Sequence, residues 1–86
     1  MAEQKIGVVT HYFGKIGVAA VKITDGELRI GDTIHIEGHT SDFTQIVQSM
    51  QVEHAAVEVA RAGDEVGLKT SEYTRENDAV YRVAPD

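Results

Sequence analysis

Arg29-Ile30-Gly31-Asp32-Thr33-Ile34 decides how this chain is read, because the phrase is written three times. It returns as Arg61-Ala62-Gly63-Asp64-Glu65-Val66 and as Arg75-Glu76-Asn77-Asp78-Ala79-Val80. Gly31, Gly63 and Asn77 are residue types that enter positive φ at low cost, so each marks the tight position of a turn. Asp32, Asp64 and Asp78 follow because a carboxylate can accept nearby backbone N–H groups that lack another partner. A β-branched residue then opens a strand, its stiff χ1 suiting a pleated surface. Three such turn-into-strand junctions in 86 residues predict a small all-β domain.

The remaining segments are read outward from those junctions. Residues 5–13 form a first strand, with Ile6, Val8 and Thr10 on one face and Gly7, Val9 and His11 on the other. Gly14-Lys15 is its hairpin turn. Residues 16–23 follow as a strand apolar on both faces, one side core and the other under a loop. Asp25-Gly26 is a turn signal of hairpin grade. Residues 33–37 make a short strand, 38–42 a polar loop and 43–52 a long strand. Residues 53–60 are a connection whose Val57 enters the core, and 65–69 and 79–83 are the last strands. The single proline is Pro85, so no ladder is interrupted. About six short strands without a helix predict a closed barrel, since closure removes exposed edges. The chain reads as one domain over 1–86, with short polar ends at 1–4 and 85–86.

Composition narrows the function. A chain of 86 residues buries only roughly 60–65 % of its unfolded surface, so its core must be efficient. It contains no cysteine, which suits the cytoplasm and removes disulfides and thiolate metal sites. Residues 1–5 do not resemble a signal peptide, and no apolar run reaches the roughly 18 residues of a membrane helix. A soluble cytoplasmic protein with no membrane partner is expected. The formal charge is −6, from 14 acidic and 8 basic residues, with no run of Lys or Arg. Phosphate neutralisation supplies most nucleic-acid affinity, so this balance weighs against RNA and excludes DNA from the expected partners.

Few residues suggest chemistry. A phosphate-binding loop needs Gly, four residues, then Gly-Lys-Ser/Thr; around Gly14-Lys15 the sequence has Val9 and Ile16 at the required positions. His35 and Glu37 share one strand face, and His39 lies just past Gly38, where a bend would return it to them. Two imidazoles and a carboxylate suit a zinc-like ion, but a polar outward face looks the same and is the preferred reading. The carboxylate pairs Asp64-Glu65 and Glu76 with Asp78 sit inside turns, which accounts for them. Ser41, Ser49 and Ser71 lack a nucleophile elbow. Tyr12, Phe13, Tyr73 and Tyr81 offer stacking faces, yet Phe13, Phe43 and Tyr81 lie in strands and are expected to fill or cover the core. No catalytic centre, cofactor or enzyme activity is expected.

Three ordered segments resemble the second domain of translational GTPases such as elongation factor Tu. They are IGVAAVKITDGELRIGDTIHIEG (16–38), VQSMQVEHAA (47–56) and ARAGDEVGLK (60–69). The terminal TRENDAVYRV (74–83) resembles barrels appended to collagenase-like peptidases. The resemblance implies a six-stranded Greek-key barrel without GTPase activity, which belongs to a separate domain. In aminoacyl-tRNA carriers this barrel contributes to a pocket for the tRNA 3′ end, and the corresponding positions here are Gln51 and His54. Both differ from the bacterial carriers.

One functional reading is therefore preferred, and two alternatives stand behind it. The first is a non-catalytic docking module for a protein partner, through the loops at 38–42 and 70–77, with His39, Thr40, Ser41, Asp42, Glu72 and Tyr73 as contacts. The second is RNA contact at the tRNA end or ribosome, through Gln51, His54, Lys22 and Arg61. The third is a metal or enzyme site at His35, Glu37 and His39.

Overall fold

The structure, a computed structural model, describes residues 2–84. Ten strands occupy them: β1 (Ala2–Phe13), β2 (Val18–Ile23), β3 (Glu27–Arg29), β4 (Thr33–Glu37), β5 (Asp42–Ile46), β6 (Met50–Val52), β7 (Ala55–Ala56), β8 (Val59–Arg61), β9 (Glu65–Lys69) and β10 (Ala79–Ala84). Eight form one sheet in the order β5-β4-β10-β1-β2-β9-β6-β7, and β3 pairs with β8 in a separate ribbon. All pairings are antiparallel.

The repeated phrase is one device used three times. Its glycine or asparagine has φ of 94°, 100° and 74° at Gly31, Gly63 and Asn77. Within each copy the Asp N–H donates to the Arg carbonyl at 3.1, 2.9 and 3.1 Å, closing a type II turn. Each Asp carboxylate then accepts the N–H of its own Arg (Arg29, Arg61 or Arg75) at 2.9 Å. A further pair of bonds fixes each turn to a distant buried residue. The Gly31 N–H donates to the Val47 carbonyl and the Val47 N–H to the Asp32 carbonyl, both at 2.8 Å. Gly63 and Asp64 bracket Ile23 in the same way at 2.9 and 2.8 Å, and Asn77 and Asp78 bracket Val9 at 2.8 and 2.8 Å. Val9, Ile23 and Val47 are all buried, so the bracket satisfies backbone groups that water cannot reach.

The core is aliphatic: Ile6, Ile34, Ile36, Val66 and Leu68 are shut away from solvent, and Val57 packs against it as expected, although the stretch 53–60 read as a connection holds β7 and the start of β8. Each such side chain contributes roughly 1.5–3 kcal/mol. Bulges in β1, between Lys5 and Gly7 and between Val9 and His11, break the alternation predicted for that strand. Ile6 and Val9 are consequently both buried, whereas Val8 is only half-buried.

The all-β architecture is as expected, while the hydrogen-bonded pairing does not itself join the strands into a closed ring. The ladder is open at β5 and β7, and the long strand predicted over 43–52 is two strands. Val47 explains the break: its backbone turns to bracket the first turn, so β5 stays with β4 and β6 joins β9. Across the gap the Gln45 side-chain amide takes the place of a peptide group. It donates to the Lys69 carbonyl at 2.8 Å and accepts the Ser71 N–H at 2.7 Å.

Smaller differences follow from local geometry. Residues 2–4, read as a polar end, extend β1 and pair with Arg82, Val83 and Ala84 of β10, while Met1, Pro85 and Asp86 lie outside the described residues. The first turn spans 14–17 with the positive φ at Gly17, so Ile16 is in the turn and not in β2. Gly26 turns as expected, but β3 pairs with β8 and not with β2.

Candidate functional site

Two small residues open a groove on the outer face of the sheet. In the ladder Ala20 of β2 lies opposite Gly67 of β9, which lies opposite Gln51 of β6. The missing side-chain bulk leaves a groove of about 360 Å³. One wall is Phe13, at the end of β1, with Ile16 from the turn that follows. Both are open to solvent, at 47 % and 61 % exposure, so the expectation that Phe13 covers the core is corrected. A two-residue turn at the tip of the β6–β7 hairpin supplies the other wall. There Glu53 and His54 adopt φ of 51° and 67°. Consecutive left-handed residues are what a type I′ hairpin turn demands, and Asn-Gly is the usual sequence for it. Two ordinary side chains in that conformation store backbone strain.

The groove brings together two of the four residues expected to contact RNA. Gln51 and His54 both line it. Lys22 lies in the next row of the ladder, opposite Glu65, and its Nζ donates to the Gly63 carbonyl at 3.0 Å. Arg61 pairs with Glu27, Nε to Oε2 at 3.6 Å, on the separate ribbon. Glu27 also accepts from Arg29 at 2.9 Å; that bond, then the Arg29 charge, holds its carboxyl below the usual range.

The histidine cluster is regrouped. His39 stands exposed in the 38–41 bend, while Asp42, directly opposite Glu37 in the β4–β5 ladder, takes its place. His35, Glu37 and Asp42 present ligand atoms within 4.8 Å of one another. The imidazole is already engaged on both sides, however. Its Nδ1 lies 3.0 Å from Glu3 Oε2 and its Nε2 2.6 Å from Asp42 Oδ1. An ionised carboxylate only accepts, so both contacts together require the doubly protonated ring. The hydrogen bond to Asp42, then that to Glu3, raises the pKa of His35 above its ordinary 6.5. A metal ligand would need a bare ring nitrogen, and this arrangement favours the opposite state.

The expected docking loops are largely committed to the fold. Ser41 is buried, and its carbonyl accepts the Gly38 N–H at 2.7 Å. Thr40 Oγ1 accepts from Arg75 Nε at 2.8 Å. Tyr73 is exposed but packs on Tyr12, ring centroids 4.6 Å apart, with the Arg75 guanidinium 5.5 Å from its ring centre. Glu72, whose carbonyl accepts from Thr70 Oγ1 at 2.9 Å, remains on the surface. Sequence reasoning missed Phe13, Ile16, Ala20 and Gly67 as a site. The one available signal was an isoleucine next to the Gly14-Lys15 turn, where a polar residue is the norm.

A helix-free module with an outer-face groove and three bracketed turns is a small all-β domain of the translation-factor type. The chain belongs to the elongation factor Tu domain 2 family, whose description matches residues 17–77. Among curated proteins it is 41 % identical over 78 residues to an uncharacterised protease of Methanocaldococcus jannaschii, covering 90 % of this chain and 19 % of that protein. It is 37 % identical over 78 residues to a collagenase of Porphyromonas gingivalis, covering 90 % of this chain and 22 % of that one. The chain thus spans about a fifth of these relatives. The crystal structure of the C-terminal domain of a Geobacillus thermoleovorans protein assigned to the U32 peptidases superposes with a TM-score of 0.87. That match has 21 % identity and covers 94 % of this chain and 93 % of that domain, so the fold is shared. No helix of the described residues is long and apolar enough to cross a membrane.

Proposed function

We propose that this chain is a non-catalytic, translation-associated docking module of the cytoplasm, which binds a protein partner through the outer-face groove. The observation that carries this reading is the pair Phe13 and Ile16, both exposed, beside a groove floored by Ala20 and Gly67. Exposed apolar side chains over a concave surface are what a protein partner covers. The peptidase and collagenase names belong to relatives about five times longer, and this reading assigns the chain recognition and no bond cleavage.

RNA contact is the second reading, because Gln51 and His54, which correspond to the tRNA-end pocket of the aminoacyl-tRNA carriers, both line the groove. The net charge of −6 opposes it. Capture from extract with the tagged chain and with Phe13→Ser/Ile16→Ser, each with and without nuclease, separates the two. A protein held by the parent chain, retained after nuclease and lost from the double variant supports docking. Ribosomal or tRNA material that vanishes with nuclease favours RNA, and measured turnover by the isolated chain would overturn the non-catalytic reading.

A further inference from the structure

We infer that the groove takes an extended peptide segment carrying one apolar and one basic side chain, in a fixed polarity along the sheet. This rests on the docking reading and gives the partner a chemistry. The apolar end is set by Phe13, Ile16 and Val18, the last two flanking the turn at Gly17. Along β2 the ladder runs from Val18 through Ala20 to Lys22, opposite Lys69, Gly67 and Glu65 of β9. The groove therefore passes from an apolar end to an end that holds Glu65, with Glu53 at the rim of the hairpin tip.

Glu53 and Glu65 are the carboxylates lining the groove, and no lysine or arginine lines it. Neither carboxylate has an ion-pair partner among the described residues. Glu65 receives only the Thr10 hydroxyl, at 2.9 Å, and the nearest cation in the ladder, Lys22, is held by the Gly63 carbonyl at 3.0 Å. A basic side chain arriving there meets two unneutralised charges, whereas a nucleic-acid phosphate is repelled. Lys69 sits opposite Val18 at the other end, which discourages a basic side chain there and fixes the direction. From the Val18 row to the Glu65 row is four residues, roughly 14 Å at a strand rise of about 3.4 Å. An extended peptide spans that distance with side chains at i and i+4, which lie on one face.

Titration of the isotope-labelled chain with the pentapeptide acetyl-FSASR-amide, followed by amide NMR, tests this. Its charge-reversed form acetyl-FSASE-amide and adenosine 5′-monophosphate are the comparators. The expected result is saturable shifts at Ala20, Gln51, His54, Glu65 and Gly67 with the basic peptide. Affinity should fall about fivefold in Glu53→Gln/Glu65→Gln, the scale of two exposed ion pairs. The acidic peptide should not reproduce the shifts. Equal binding by the acidic peptide, unchanged affinity in the double variant, absence of saturable shifts with the basic peptide, or shifts at these amides with the nucleotide alone would each overturn the inference. The capture experiment with Phe13→Ser/Ile16→Ser reads docking separately. A partner lost there but indifferent to the Glu53 and Glu65 substitutions leaves docking standing and removes the basic-peptide assignment.

Discussion

The three bracketed turns and the β6–β7 tip solve the same problem with opposite residues. Both need backbone at positive φ. At Gly31, Gly63 and Asn77 the chain supplies residues made for it, an Asp that closes the turn, and a buried partner residue. At Glu53 and His54 it supplies two ordinary side chains, exposed, with φ of 51° and 67°. The first arrangement minimises strain where the fold is assembled. The second tolerates strain where two polar side chains stand at the rim of a groove. The contrast teaches that local consistency marks scaffold here, and its absence marks the surface where recognition is proposed.

The sharpest way to break that comparison is at the third turn. Asp78 is 3 % exposed and its carboxylate lies against Gly38, where an added Cβ would collide with it. Asp78→Ala should destabilise by about 2–3 kcal/mol, since it removes a buried carboxylate that accepts the part-buried Arg75 N–H and leaves a void against Gly38. Asp32→Ala and Asp64→Ala, at less buried turns, should cost about 1 kcal/mol each. Urea midpoints at constant m-value measure all three. Equal losses would show that burial does not rank the turns.

Thr74, one residue before that turn, is fully buried and its Oγ1 has no hydrogen-bond partner among the described residues. Thr74→Val keeps the shape and removes the unpaired hydroxyl, so stability should rise by about 1–2 kcal/mol. A loss in thermal unfolding would mean that the hydroxyl is satisfied by bound water.

Glu53→Asn/His54→Gly gives the tip the usual type I′ pair. The double variant should be more stable by about 1 kcal/mol, relief of two left-handed side chains less the entropy of glycine. It should also bind more weakly in the groove. A variant that is both more stable and unimpaired in binding would dissolve the distinction between scaffold and rim.

The smallest effect lies outside both regions, at His35. Its folded pKa is raised above 6.5 by Asp42 and Glu3, so the folded state holds the proton more tightly than the unfolded chain. The resulting stabilisation is complete below about pH 6.5 and disappears as pH rises through the folded pKa. His35→Gln should flatten that part of the stability–pH curve, and imidazole NMR should place the pKa above the ordinary value. A curve unchanged by the substitution would remove His35 from the account.

Much of the scaffold was legible because its causes are local. RIGDTI, RAGDEV and RENDAV name a φ, an acceptor and a strand start within six residues, and each occurs as read. The bulges of β1 and the break at Val47 are not legible, because each depends on a partner elsewhere in the chain. The site was less legible still. Gln51 and His54 follow from the resemblance alone, Phe13 reads as core though it is exposed, and His39 reads as part of a cluster that Asp42 completes instead.

By itself, the order of residues determined a helix-free chain, the position of its three tight junctions and an acidic surface, since dihedral preference, carboxylate capping and charge all act over a few bonds. Tertiary structure alone decided that the ladder stays open, that two small residues fall into register beneath a strained hairpin tip, and that Phe13 and Ile16 face water. Register and exposure are set by which distant strands meet, and no six-residue phrase carries that information.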